Sequence, residues 1–185
     1  MKQKQNRSKK KNSWIWPLIV LILAISLSLS FSLLSELVLS GSAIIVAIIV
    51  IMIFIALAII TDMIGLAVAS ANIEHFTAMA ARKVKGSKQA ISLVKSADKV
   101  SSVLNDVVGD VCGILSGAAG ASIVAKIAID NGGSFMSILI PSLIAAIIAG
   151  LTIAGKALFK KVAIKHANTI TLHFAKLINI FTRKG

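Results

Sequence analysis

The chain has 185 residues, 57% of them hydrophobic, with a mean hydropathy of +0.92 and a formal net charge of +13. Apolar content at that level excludes a soluble domain of this length and points to an integral membrane protein. Because the cations flank apolar runs, they read as topology and anionic-lipid signals, with no nucleic acid as partner. A single cysteine, Cys112, leaves neither a disulfide framework nor a CxxC metal pattern.

Residues 1–13 carry Lys2, Lys4, Arg7, Lys9, Lys10 and Lys11 and are expected to form a disordered cytoplasmic tail. The apolar run 14–40 is too long for a signal-peptide core and reads as a retained first span, with Trp14 and Trp16 at its interfacial edge and Pro17 in its first turn. A turn at 40–42 leads to a second run, 43–71, longer than the ~20 residues needed to span and interrupted by Thr61-Asp62. Residues 72–99 are basic, and Phe76, Met79, Ala80, Ile91 and Val94 would let their helical parts lie along the membrane surface. A third span is expected at 100–129, a turn at 130–133, and a fourth span at 135–158 with Pro141 and Gly150 as kink points. From 156 to 181 apolar residues recur every three or four positions opposite Lys160, Lys161, Lys165 and Lys176, which predicts an amphipathic belt helix in the membrane surface.

The fold class is therefore an all-α membrane protein of about four transmembrane helices, with juxtamembrane and amphipathic belt helices. Four spans put every strongly basic segment on one side, so the positive-inside rule predicts a multi-pass plasma-membrane protein with both termini cytoplasmic.

The chemistry concentrates in NDVVGDVCGILSGAAGA, residues 105–121. Asp106 and Asp110 stand four residues apart, which on a regular helix gives them one face. Counted inward from the basic loop, Asp62 and Asp110 both lie about 15 Å deep at 1.5 Å per residue, so Asp62, Asp106 and Asp110 can meet at one level. Carboxylates at membrane depth are costly, and no intramembrane lysine or arginine is expected there to offset them. A proton or a cation would then join them. Thr61, Asp62, Ser102, Asn105, Asp106, Asp110 and Ser116 form a hard-oxygen ligand set suited to Mg²⁺ or Na⁺. The alternative is that the acids are hydrated near the interface or simply protonated. Gly109, Gly113, Gly117 and Gly120 form a small-residue surface for packing within the bundle or along a homodimer seam.

Enzymatic chemistry is not indicated: His75, His166 and His173 read as surface residues, and there is no phosphate-binding glycine loop and no HExxH. No serine or cysteine nucleophile has a sequence-local base.

Residues 65–104, GLAVASANIEHFTAMAARKVKGSKQAISLVKSADKVSSVL, resemble the transmembrane (DUF21) domain of the CorC/CNNM magnesium transporters. Ser70-Ala71-Asn72, Lys85-Gly86-Ser87-Lys88 and the stretch from Asp98 to Leu104 carry the likeness, and the C-terminal GKALFKKVAIKHANTITLHFAKLI resembles that family's belt helix. The resemblance implies a homodimer binding Mg²⁺ in a cytoplasm-open cavity, with the family's sites falling near Thr61 and Asp62 and near Asn105 and Asp106. The DUF21-like region is 43–181, preceded by the extra span, and the chain length is expected to leave no room for the family's CBS and C-terminal domains. Where the family has a serine-rich, glutamate-containing motif, this chain has TDMIG at 61–65. Two functions are expected: a divalent-cation transporter or exporter, or a non-transporting scaffold or regulatory subunit with a degenerate domain of this kind.

Overall fold

The computed structural model describes residues 2–39, 44–128 and 136–182. Eight α-helices are described: α1 (Lys2–Leu39), α2 (Ile44–Ser70), α3 (Ile73–Ala81), α4 (Ser87–Lys95), α5 (Ala97–Ser101), α6 (Asp110–Ala128), α7 (Met136–Lys165) and α8 (Ala167–Thr182). A π-helical stretch, Ser102–Gly109, joins α5 to α6. Four of these helical runs are long and apolar enough to cross a membrane, so the all-α, four-span expectation holds and the protein is a multi-pass membrane protein. The expected turns at 40–42 and 130–133 lie outside the described residues. Helix α1 extends back to Lys2 through the stretch expected to be a disordered tail; its lysines, arginine and glutamines are all good helix formers.

Helix α2 is the hub. It touches the π-helical stretch, α6 and α7 along its length, and α5 and α8 at its C-terminal end. Small side chains make this possible: Ala58, Ala67 and Val68 of α2 are fully buried, and Phe54 and Ala58 pack on Cys112 of α6. An added Cβ on Gly155 of α7 would overlap the Ile59 side chain, and one on Gly120 of α6 would overlap Ile148 of α7. Those glycines set the close approach of the helices. Helix α1 is peripheral. None of its most apolar window is buried, against 39% for the span through α5 and α6. It is held by an edge-to-face contact of Phe31 with Phe54 and by the Lys99 ammonium over the Trp16 ring at 5.0 Å.

Two expectations about the membrane surface change. The fourth span does not end near 158; α7 runs on to Lys165, and the break falls at His166. The apolar residues of 72–99 also do not face lipid as a group. Phe76, Ala90 and Ala175 form a buried cluster, with Met79, Ile91, Val94 and Leu172 packed on it, so α3, α4 and α8 build their own small core beneath the C-terminal end of α2. The inner stripe of α8 is Ala167, Thr171 and Ala175, all buried at a spacing of four, whereas the bulkier Leu177 and Ile180 point outward. Small residues let α8 approach its neighbours closely and leave the large ones for the bilayer. Asn72 ties the layer together: its side chain accepts from the Glu74 N–H and caps α3, while its own N–H donates to Asn168 Oδ1 of α8 at 2.9 Å.

Candidate functional site

The π-helical stretch decides which polar groups meet. In it the backbone closes i to i+5, and the Asp110 N–H donates to the Asn105 carbonyl. With this closure Asn105 and Asp106 both lie on the side of the helix that carries Asp110. Asp106 is exposed, with no hydrogen bond or ion pair among the described residues. Asp106 and Asp110 are thus both exposed, and of the two it is Asp110 that pairs with a charged group among the described residues.

A lysine fills the gap expected to be without one. Lys156 of α7 donates to Asp110 Oδ1 at 2.8 Å and lies 4.0 Å from Asp62 Oδ1 of α2. Its side chain is 19% exposed, that of Asp62 24% and that of Asp110 60%. Sequence reasoning assigned Lys156 to the start of the belt, because it opens the basic run that continues at Lys160 and Lys161. The signal available was its place four residues before Lys160 within an unbroken apolar helix, which keeps it on α7. At 1.5 Å per residue, about 27 Å of helix separates Ile44 from Asp62 and Ala128 from Asp110, and about 30 Å separates Met136 from Lys156. Three helices thus deliver their charged groups to one level. The cluster carries two carboxylates and one ammonium, a formal charge of about −1 if all three are ionised.

The remaining candidates divide around this cluster. The Thr61 hydroxyl is satisfied by its own helix, donating to the Leu57 carbonyl at 2.7 Å with the Ala58 carbonyl at 3.2 Å. A Cβ on Gly109 would stand 3.4 Å from Thr61 Oγ1 and from the Ala58 carbonyl oxygen, so the π-helical stretch lies against α2 at this point. One turn further along α2, a Cβ on Gly65 would overlap Asn105 Oδ1. That oxygen is buried and has no hydrogen-bond donor among the described residues. Ser116 is fully buried but donates to the Gly113 carbonyl at 2.8 Å, and Ser102 is half-buried without a side-chain hydrogen bond. Asp62 and Asp110 are therefore brought together, Asn105 turns its amide oxygen toward Gly65 of α2, and Asp106 has no charged partner among the described residues.

The glycine stripe is split between two neighbours. Gly109 faces α2, Gly113 faces the Thr152 methyl at 3.7 Å and Gly120 faces Ile148, whereas Gly117 has nothing within 4 Å. Gly113 and Gly117 instead line a cavity of about 580 Å³ between α6 and α7, walled by Ile114, Ala145, Ala149 and Ile153 and ending at Asp110 and Lys156. The charged cluster thus borders an apolar vestibule. Among the described residues, no group of three or more histidine, cysteine, aspartate or glutamate side chains is arranged to hold a metal ion. Any cation here would be bound by two carboxylates and amide, carbonyl or water oxygens.

Comparison of the chain with known protein families, with characterised proteins and with solved structures finds no match.

Proposed function

We propose that this membrane protein moves a small cation across the bilayer, with Asp62 and Asp110 as the cation's carboxylate ligands and Lys156 as the built-in cation that competes for them. The observation that carries the reading is the Asp62–Lys156–Asp110 cluster itself. A largely covered carboxylate, Asp62, beside a second at the end of an apolar vestibule, Asp110, calls for positive charge, and Lys156 supplies one unit of it. A divalent ion would supply both, releasing the lysine. Binding of a divalent ion then exchanges one internal positive charge for two external ones, and reassociation of Lys156 with Asp110 drives release. The hard oxygen donors and the resemblance to the CorC/CNNM membrane domain make Mg²⁺ the proposed ion, with Na⁺ as the monovalent candidate. Asn105, with its unpartnered amide oxygen, is a further ligand in this scheme. The resemblance and the distribution of basic residues also support a homodimer in the plasma membrane with both termini cytoplasmic.

The test is Mg²⁺ flux in proteoliposomes. Wild type should give gradient-driven flux, Asp62→Asn and Asp110→Asn should abolish it, and Lys156→Gln should bind Mg²⁺ more tightly yet turn over more slowly. Background flux in the wild-type protein would remove the transport reading. A second reading, a non-transporting scaffold or regulatory subunit, is favoured by the 2.8 Å contact of Lys156 with Asp110, which is the geometry of a settled structural ion pair. Under it, Lys156→Gln changes stability and leaves cation binding unchanged.

A further inference from the structure

At the end of the bundle where α3, α4 and α8 gather, the corner between α2 and α3 meets the corner between α7 and α8 around a polar cavity of about 320 Å³. Ser70, His75, Lys165, His166, Asn168 and Thr169 line it, and no carboxylate does. Two histidines that look unrelated in sequence, His75 and His166, are thereby brought to one concave surface with a lysine. The site is held in shape from both sides. The Asn72 N–H occupies Asn168 Oδ1, which leaves the Asn168 amide NH₂ as the available end, and the His75 ring is set edge-to-face on the buried Phe76 at 5.6 Å. The Lys165 ammonium, the Asn168 NH₂, the Ser70 and Thr169 hydroxyls and the imidazoles have no hydrogen-bond partner among the described residues. Helix dipoles do not decide the sign, since α2 and α7 end where α3 and α8 begin. The side chains do: every one offers a donor and only Lys165 carries fixed charge.

We infer that this cavity binds a phosphate group, and that the phosphate is that of an anionic lipid headgroup. Depth selects the source. Ser70 lies about 39 Å of helix from Ile44, against a hydrocarbon thickness of about 30 Å, which puts the cavity in the headgroup layer. The exposed apolar side chains of Leu158, Val162 and Ile164 on the adjoining turns of α7 continue the lipid-facing surface toward it. A phosphate seated between Lys165 and Asn168 would lock α7 to the layer that caps α2, and the inference holds whether or not the protein transports a cation.

The experiment is thermal unfolding of the purified full chain in neutral detergent micelles, titrated separately with dioleoyl phosphatidylglycerol, dioleoyl phosphatidylcholine and inorganic phosphate. Phosphatidylglycerol should raise the unfolding temperature of wild type, and Lys165→Gln/His166→Gln should weaken its apparent affinity about tenfold. Ser70→Glu, which places a carboxylate in the cavity, should do the same. Lys83→Gln/Lys85→Gln, which removes one more fixed charge than that variant but from the α3–α4 connection, should leave the affinity unchanged. Equal weakening by both lysine variants would show diffuse attraction and overturn the site. An equal response to phosphatidylcholine would overturn the anionic selectivity, and saturation by inorganic phosphate at the same concentration would overturn the lipid as its source.

Discussion

Replacing Lys156 with methionine keeps the length of the side chain and removes the only cation among the described residues within 4.0 Å of both Asp62 and Asp110. An exposed ion pair contributes at most about 1 kcal/mol, whereas stripping one partner from a fully buried pair costs about 3–5 kcal/mol. This cluster lies between those limits. Asp62 is three-quarters covered and loses its counter-charge, but Asp110 keeps a solvated side, so Lys156→Met should cost about 2 kcal/mol. Asp110→Asn leaves Lys156 near Asp62 and should cost about 1 kcal/mol. With about 2–4 °C per kcal/mol for a chain of this size, the unfolding temperature should fall by about 4–8 °C and about 2–4 °C respectively. The assay is thermal unfolding in detergent for wild type, both single variants and the double variant, read as a double-mutant cycle. The double variant should be no less stable than Lys156→Met alone, a coupling of about 1 kcal/mol. Losses that simply add, or an Asp110→Asn that is worse than Lys156→Met, would refute the view that Lys156 holds the acids together.

Phe76→Ala should destabilise the protein by about 3–4 kcal/mol, because Phe76 is fully buried between Ala90 and Ala175; hydrogen exchange should speed up in α3, α4 and α8 before α6. Asn72→Ala should cost about 1–2 kcal/mol through the lost α3 cap, whereas Asn72→Asp, which keeps the acceptor, should recover most of it; matching losses for the two variants in a melt would mean that the cap does not matter. Asn105→Ala removes a buried oxygen that no donor satisfies, so its stability should stay within about 0.5 kcal/mol of wild type or rise, while Mg²⁺ flux falls. A large stability loss measured in the same melt would show that the amide oxygen is not an orphan.

The four spans were legible because they are local, apolar runs of spanning length, and the acids of 105–121 stood out because they lie in a segment otherwise too apolar to tolerate them. Register was not legible. The five-residue closure of Ser102–Gly109 is one case, since nothing in SVLNDVVG marks it over a four-residue one. Asn105 and Gly65 illustrate the same limit. Each is conspicuous alone, but that one makes room for the other emerges only when α2 and the π-helical stretch are laid side by side. Lys156 was misplaced because charge and apolar periodicity give opposite answers where a span runs into a basic helix, and the deciding term is an ion pair 46 residues away along the chain. The inner face of α8 was not legible for a related reason. Phe, Leu and Ile dominate any hydrophobic pattern, yet in a membrane protein the small Ala167, Thr171 and Ala175 face protein while larger residues face lipid.

The level of the charged cluster also has an electrical meaning. Asp62 stands two-thirds of the way along α2 from Ile44, about 27 Å from one end and about 12 Å from Ser70 at the other. If the membrane voltage drops across about 30 Å of hydrocarbon counted from Ile44, a charge moving between the cluster and the Ser70 side crosses about a tenth of the field. At ~2.3 kcal/mol per elementary charge per 100 mV, that short leg is worth about 0.2 kcal/mol and the long leg about 2.1 kcal/mol. Under the proposed function, occupancy of the two carboxylates by a cation should therefore depend on voltage, with most of the sensitivity in the passage between the cluster and the Ile44 end.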